Sequence, residues 1–310
     1  MSVDEHGVPL PPAPVPAAGV FPAVRVLGPD DLRRCVALSV DRGWSPERAK
    51  WSLLLAASEV FGVDAPDGRG LAGAVVLTRW GTGLAAVGMM LVAARYERRG
   101  LGRTLMEHLL RAAGDDTTVT LFATDLGRPL YEKLGFTAVR RNVSFVGRFR
   151  DRPLSRVGRG SSRGIRSATG ADLPAILAAD RAAFGADRGR ILERLPDFAD
   201  RIVVLEAGTG IPGTGIAGYA AAWRGDVACT VIGPLVAPDG EAARRLVAAL
   251  AAPAATPVRL DLDPDRPELP GWALARGLEP VGRTVVMAHG DPGPRGTPER
   301  LFTPISVALA

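Results

Sequence analysis

The hydrophobic and polar positions of this 310-residue chain predict a series of strands and helices. Continuous apolar runs such as "LAGAVVLTRWG" (71–81) and "AAVGMMLVAA" (85–94) have the length of buried strands. The segment "GRTLMEHLLRAA" (102–113) instead repeats its apolar residues at the spacing of an amphipathic helix. Along each half of the chain the pattern gives strand, helix, three strands, helix, strand, helix, strand. Helices that cover a mixed sheet place the fold in the α/β or α+β class.

The same order of elements occurs twice, which indicates an internal repeat. Val24-Arg25 precedes Asp31-Leu32 by the same interval at which Ile165-Arg166 precedes Asp172-Leu173. We therefore predict two similar domains, each with a mixed, mostly antiparallel sheet flanked by helices. The predicted segments are a disordered Pro/Ala-rich lead (1–22), a first domain (23–150), a linker rich in Arg, Gly and Ser (151–163), a second domain (164–290) and a C-terminal tail (291–310).

Composition narrows the classes of function. The net charge is +5, but the arginines are spread along the chain with acidic residues between them, so we expect no nucleic-acid partner. Lysine occurs only at Lys50 and Lys133. No apolar run approaches the roughly 18–20 residues that cross a bilayer, and the acidic, proline-broken start does not resemble a signal peptide. We expect a cytoplasmic protein without a membrane partner, and nothing indicates a homo-oligomer.

Cysteine and histidine are too sparse and scattered to predict a disulfide framework or a metal site. Cys35 and Cys229 are nearly two hundred residues apart and both lie in apolar stretches, where we expect them to be buried. His6, His108 and His289 are isolated from one another. The prediction is that the protein holds no metal.

The segment "RYERRGLGRTLMEHLL" (95–110) places a glycine turn between a predicted strand and a predicted helix. Glycine lets a ligand approach the main chain closely, and the first turn of a helix has unpaired N–H groups and a partial positive charge. Arg98, Arg99 and Arg103 add side-chain charge around the turn. Together these features predict a binding site for a phosphate group.

Two common phosphate-binding motifs do not fit this turn. A P-loop requires Gly-Lys-Ser/Thr before the helix, whereas this chain has Gly102-Arg103-Thr104. A Rossmann fingerprint requires a third glycine, and Leu105 stands in its place. A nucleotide or dinucleotide binder is therefore the weaker alternative.

The combination "LVAARYERRGLGRTLMEHLL … VTLFATDLGRPLYEKLGF" resembles the GNAT superfamily of acetyl-CoA-dependent N-acetyltransferases over about residues 23–150. The resemblance implies that acetyl-CoA is the co-substrate. It also implies that the pyrophosphate rests on the backbone of the glycine turn and that the pantetheine arm pairs with the preceding strand. The implied cofactor-binding residues are Leu91, Val92, Arg98, Arg99, Gly100, Leu101, Gly102, Arg103 and Thr104.

Further site residues follow from the resemblance with unequal support. It implies that Tyr131 of "YEKLGF" is the general acid. The general base is open: the amine can lose its proton through water, or to a residue such as Asp41 or Glu59. Asp41 and Trp44 in the first predicted helices are also candidates for binding the acceptor, a small-molecule or peptide amine. Two positions depart from the family pattern: Glu97 replaces Gln or Arg, and Ala94 replaces proline. We expect Glu97 to point to solvent.

The second half lacks the features that implied a cofactor site in the first. The turn after Val236 has no Gly-x-Gly, and Ala273, beside Trp272, occupies the position that corresponds to the tyrosine. We therefore predict a degenerate GNAT-like second domain and a single active site. Asp261, Asp263 and Asp265 alternate at a strand end, which suits a polar turn better than a cation site. A non-catalytic acetyl-CoA sensor is the alternative from another functional class.

Overall fold

The structure is a computed structural model that describes residues 21–151, 164–207, 215–225, 229–293 and 295–309. Most of the predicted lead and most of the predicted linker lie outside the described residues. Within these ranges no helix has the length and apolar character needed to span a bilayer.

The first half of the chain follows the predicted order, with two helices where the pattern indicated one. Gly43, with φ +69°, and Pro46 separate these two helices. Its elements are β1 (Arg25–Leu27), α1 (Leu32–Asp41), α2 (Arg48–Ala57), β2 (Glu59–Asp64), β3 (Leu71–Arg79), β4 (Leu84–Val92), α3 (Leu101–Ala113), β5 (Thr118–Ala123), α4 (Arg128–Lys133) and β6 (Thr137–Gly147).

The second half repeats this order and adds a strand at its end. Three helices follow its first strand, and the second and third have only four residues each. Its elements are β7 (Ile165–Ser167), α5 (Leu173–Phe184), α6 (Gly189–Leu192), α7 (Leu195–Phe198), β8 (Arg201–Glu206), β9 (Ile216–Gly225), β10 (Cys229–Val236), α8 (Gly240–Ala251), β11 (Val258–Leu262), α9 (Pro270–Ala275), β12 (Glu279–His289) and β13 (Leu301–Thr303).

The thirteen strands found in the described part of the chain belong to one sheet in which the two halves exchange a strand. The order is β1-β2-β3-β4-β5-β12-β6-β11-β10-β9-β8-β7, with β13 paired to β10. Thus β12 of the second half lies between β5 and β6, and β6 of the first half lies between β12 and β11. Among the strands of the described residues, only β4–β5 and β10–β11 are parallel pairs, so the sheet is mixed and mostly antiparallel, as predicted.

The internal repeat is visible in the contacts at the start of each half. Arg25 donates to both carboxylate oxygens of Asp31 at 2.7 and 3.0 Å, and Arg166 does the same to Asp172 at 2.7 and 2.8 Å. Each carboxylate also accepts a backbone N–H from the residue three positions earlier. The same ion pair therefore fastens the first strand to the first helix in both halves.

Helix α3 is held against the sheet by a stripe of buried leucines. Leu101, Leu105 and Leu109 are each 2% exposed or less and recur every fourth residue. On the facing strand β3, a Cβ at Gly73 would lie 2.9 Å from the Leu105 side chain. This close approach fixes where the N-terminus of α3, and hence the glycine turn, lies relative to β4.

The tail docks along the second half and ends against the first. β13 pairs antiparallel with β10, and the carbonyl of Pro304 packs where a side chain on Gly233 would be. Farther on, the carbonyl oxygen of Ala308 would lie 2.0 Å from a Cβ at Gly88 of β4. The tail therefore connects the corresponding strands of the two halves.

Candidate active site

A groove opens along β4 where this strand leaves its parallel neighbour. β4 and β5 pair only from Leu84 to Val87, and beyond that point the two strands diverge. The opposite edge of β4 stays paired with β3, although the register shifts where Met89 adopts φ +45°. The β4 edge from Gly88 to Val92 thus faces the groove, where an extended ligand can pair with it as an added strand.

The groove leads to the glycine turn. Arg98 and Gly100 have φ values of +58° and +81°, so both are in the left-handed region, and α3 begins at the next residue, Leu101. The backbone N–H groups in the first turn of a helix have no partners within it. The turn consequently presents N–H donors at the positive end of a 13-residue helix.

Exposed positive charge surrounds these donors. Arg98, Arg99 and Arg103 are exposed, as are Gly100 and Thr104. Arg103 pairs with Glu107 at 2.7 Å, which neutralises part of this charge.

Glu97, the departure from the family pattern, is also paired. Its carboxylate lies 2.5 Å from a guanidinium nitrogen of Arg42, and its side chain is about half exposed. The expectation that Glu97 points to solvent is therefore met only in part. Its pairing with Arg42 compensates a negative charge that would otherwise weaken phosphate binding at the neighbouring turn.

Tyr131 lies on α4, near the glycine turn. Leu130, its neighbour on α4, would lie 3.4 Å from a Cβ at Gly102, so α4 adjoins the start of α3. Tyr131 is 8% exposed and packs edge-on against Phe136 at 5.9 Å between ring centroids. Burial raises the pKa of its phenol to about 12, so the hydroxyl holds its proton at neutral pH.

Two protein-family models match the sequence, one in each half of the chain. "Acetyltransferase (GNAT) family" matches residues 30–136, and "Acetyltransferase (GNAT) domain" matches residues 176–303. The chain belongs to the GNAT acetyltransferase family. It carries two GNAT units in tandem.

Known relatives agree with this assignment. The chain is similar to YitH, an uncharacterised N-acetyltransferase of Bacillus subtilis (strain 168), with 27% identity over 195 residues. That match covers 63% of this chain and 66% of YitH, just under two thirds of its length.

Solved structures share the fold. A putative acetyltransferase from Pyrococcus horikoshii has a TM-score of 0.75 and 21% identity over 93% of this chain and 95% of its own. A tandem GNAT protein from the clavulanic acid biosynthesis pathway has a TM-score of 0.59 and 17% identity over 86% and 98%.

In the second GNAT unit the groove corresponding to the β4 groove is filled by the chain itself. β10 and β11 pair only at Thr230 and Val231 before they diverge. Strand β9 occupies one edge of β10 at Leu235 and Val236, so β13, which pairs with the same two residues, uses the edge that faces β11. The tail strand therefore takes the place that an added strand would need.

The helix that follows β10 also lacks an open N-terminus. Asp239 caps α8, and its carboxylate accepts the backbone N–H of Ala242 at 2.8 Å. Glu241 adds a second acidic side chain in the first turn. A phosphate would meet two negative charges here, in contrast to the arginine-flanked turn of the first unit.

The structure gives two of the remaining candidates other partners. Asp41 accepts the backbone N–H of Ala94 at 2.7 Å, so it fastens the turn that leads out of β4. Glu59 pairs with Arg79, which also donates to carbonyl oxygens at the C-terminal end of α3. Since α3 is about 20 Å long, Glu59 lies far from the glycine turn and is unsuited to act as the general base.

Trp44 and the alternating aspartates, the remaining residues singled out in the sequence, lie in different parts of the fold. Trp44 is 46% exposed on the connection between α1 and α2. Asp261 contacts Ser144, Asp263 accepts the backbone N–H of Asp265, and the Asp265 carboxylate pairs with Arg141. Among the described residues no group of three His, Cys, Asp or Glu side chains is placed to hold a metal ion.

The two thiols differ in their surroundings. Cys35 is buried, and burial raises its pKa to about 12. Cys229 is only partly buried, so the expectation that both cysteines are buried is wrong for it. Its position at the start of β10, between the two halves, explains the difference.

Proposed function

We propose that the protein is an N-acetyltransferase that moves an acetyl group from acetyl-CoA to an amine, with its single active site in the first GNAT unit. The observation that carries this proposal is the path from the open edge of β4 to the glycine turn of α3, which the helix of Tyr131 adjoins. The second unit has a strand in the corresponding groove and an aspartate on the corresponding helix.

The residues along this path suit the parts of acetyl-CoA. The backbone from Arg98 to Thr104 and the flanking arginines would hold the phosphates, since N–H groups at a helix start favour anions. Leu91 and Val92 would pair through their backbone with the amide-bearing pantetheine arm. At Gly102 a Cβ would lie 3.1 Å from Met90, so the turn lies close against the groove.

Tyr131 is the residue to which we assign proton transfer. Acetyl-CoA supplies the acetyl group as a thioester, whose sulfur needs a proton as it leaves. The raised pKa of the Tyr131 phenol keeps a proton on Oη at neutral pH, ready for that transfer. Glu59 lies far from the glycine turn, and one oxygen of Asp41 already accepts the Ala94 N–H, so we assign no side chain to the removal of the proton from the amine.

The binding half of the proposal is tested by thermal unfolding with acetyl-CoA. A ligand at 100 times its Kd adds about 2.7 kcal/mol of stability, which raises the midpoint by roughly 5 °C in a chain of this size. We expect the wild type to show this shift and Gly102→Val to lose it. Gly271→Val is the matched control, because a Cβ at Gly271 meets nothing within 4 Å and the residue lies in the second unit.

The catalytic half is tested by continuous release of CoA in the presence of pooled amines. We expect steady release that depends on both substrates. Stabilisation by acetyl-CoA without any turnover would support the alternative of a non-catalytic sensor. No stabilisation at millimolar acetyl-CoA would overturn the whole proposal.

The number of acetyl-CoA sites per chain can be measured directly. Isothermal titration of the wild type with acetyl-CoA should give one site per chain, because β13 and Asp239 occupy the two corresponding positions in the second unit. A stoichiometry of two would contradict the assignment of the second unit as degenerate.

A further inference from the structure

A cavity that is partly open to solvent lies between the two GNAT units and the tail. The connection between α1 and α2 contributes Glu47, the first turn of α2 contributes Lys50, and strand β9 contributes Trp223. The parallel strand β11 contributes Arg259 and Asp261. Both halves of the chain therefore build this cavity, although only the first half holds the open groove.

The tail places the cavity beside the groove. Ser306 and Val307 line the cavity, and the carbonyl of the next residue, Ala308, packs on Gly88. Residues 306 and 308 are at most about 7 Å apart along the chain. The cavity thus lies beside the point where β4 leaves β5, close enough for a small molecule bound there to reach the groove.

Charges of both signs face each other across the cavity. Lys50, 7% exposed, pairs with Glu47 and lies 5.5 Å from the centre of the Trp223 ring. Arg259 donates to the Asp261 carboxylate at 2.9 and 3.1 Å. These four side chains sum to zero formal charge, with a cation and an anion on each wall.

Two polar groups retain capacity for a ligand. The Trp223 indole N–H is buried, and it has no hydrogen-bond partner among the described residues. A buried donor without a partner costs free energy unless a ligand accepts its hydrogen bond. At Asp261 the bonds from Ser144 and Arg259 all end on Oδ1, which leaves lone pairs of Oδ2 for an ammonium group.

We propose that this cavity binds the acetyl acceptor and that the acceptor is a small zwitterion, an amine that also carries a carboxylate. The inference rests on the proposed acetyltransferase function. The carboxylate of the acceptor would take the hydrogen bond of Trp223 and the charge of Arg259. The ammonium group would lie among the carboxylates of Glu47 and Asp261 until it loses its proton. A polycationic amine would place its additional positive charges close to Lys50 or Arg259, which repel them.

Matched acceptors test the proposal. α-Amino acids and their α-carboxamides differ in the carboxylate but keep the same side chain and amine. We expect kcat/KM to be at least 10-fold higher for the acids, although the amides have the less basic and more readily deprotonated amine. Equal or better activity with the amides, or a preference for polycationic amines, would overturn the proposal.

Two variants test whether the preference for acceptors with a carboxylate arises in the cavity. Arg259→Gln should reduce the acid-to-amide ratio to near one. Trp223→Phe keeps an aromatic ring and should raise KM for the acid about 5- to 10-fold. Trp272→Phe is the matched control, because its indole N–H is also buried without a partner among the described residues but lies outside the cavity. An unchanged ratio in Arg259→Gln would contradict the assignment even if Trp223→Phe fails to fold.

Measurements of acetyl-CoA binding distinguish failure of the acceptor proposal from failure of the proposed acetyltransferase function. Both variants should keep the thermal shift that acetyl-CoA gives the wild type, and amino acids alone should stabilise the wild type but not Arg259→Gln. Acetyl-CoA binding and turnover without a carboxylate preference would reject only the acceptor class. Absence of acetyl-CoA binding in the wild type would reject the function on which it rests.

Discussion

At the scale of single residues, the proton on Tyr131 is the most direct prediction. Tyr131→Phe removes the hydroxyl but keeps the ring contact with Phe136, so we expect an unchanged thermal midpoint and acetyl-CoA Kd. The value of kcat should fall by about 10²–10⁴-fold, the usual contribution of a general acid. Because burial raises the phenol pKa to about 12, the wild type should not lose activity through this group below about pH 11.

Steady-state kinetics of wild type and Tyr131→Phe across pH 6–10 provide the measurement. An unchanged kcat would remove Tyr131 from the mechanism. A fall in kcat together with weaker acetyl-CoA binding would show instead that the hydroxyl shapes the groove.

A second prediction at this scale concerns acid stability. The hydrogen bond from Arg25 lowers the pKa of Asp31 from 3.8 to about 2, against the effect of burial. The folded state therefore binds this proton less readily than the unfolded state, and the stabilisation present above about pH 4 is lost as pH falls toward 2. Asp31→Asn should cost about 1–2 kcal/mol at pH 7, after allowance for the partly exposed arginine.

Urea unfolding between pH 2 and 7 checks this expectation. The variant should lose less stability than the wild type between pH 4 and pH 2, although a slope remains because Arg166 also lowers the pKa of Asp172. Asp30→Asn is the control, since Asp30 is exposed and adjacent. Equal slopes for wild type and Asp31→Asn would contradict the linkage.

The sequence could predict some site residues and not others, for a physical reason. The glycine turn and Tyr131 belong to local patterns, in which spacing along the chain fixes position on a helix. Lys50, Trp223 and Arg259 come from three distant elements that only the fold brings together. The one available signal was that Lys50 is one of two lysines among 38 basic residues.

At the scale of elements, a single substitution can test the contact between the tail and β4. A Cβ at Gly88 would lie 2.0 Å from the Ala308 carbonyl oxygen, closer than atoms can approach, so Gly88→Ala must displace the tail. We expect a loss of about 1–3 kcal/mol, as for overpacking elsewhere. If the tail lines the acceptor cavity, KM for the acceptor should rise as well.

Differential scanning calorimetry and acceptor kinetics measure the two effects. Gly170→Ala is the matched control, because a Cβ there meets nothing within 4 Å. Retention of wild-type stability in Gly88→Ala would mean that the tail does not rest on β4.

Most elements followed from the sequence because periodicity is local, but their neighbours in the sheet did not. Apolar positions show which face of a strand is buried and leave open which strand lies beside it. The placement of β12 between β5 and β6 depends on pairing between residues such as Val285 and Ala123, which are far apart in the chain. The pattern of the tail likewise does not show that β13 fills the groove of the second unit.

At the scale of the whole molecule, the exchanged strands make the two halves depend on each other. β5 has β12 at one edge, and β6 lies between β12 and β11, so a fragment containing only the first half loses every neighbour of β6. A fragment containing only the second half lacks β6, the strand that lies between β11 and β12. Exposed strand edges of this kind favour aggregation.

The last prediction uses this dependence. Fragments 1–151 and 164–310, produced separately, should aggregate or show no cooperative unfolding, whereas co-expression should give a 1:1 complex with acetyl-CoA binding. Size-exclusion chromatography and thermal unfolding distinguish these outcomes, with the intact chain as the control. A first-half fragment that is monomeric and unfolds cooperatively near the wild-type midpoint would contradict the prediction, because β6 would then have found a place beside β5 without β12. The same experiment bears on the acceptor cavity, since only the assembled halves bring Lys50 and Arg259 together.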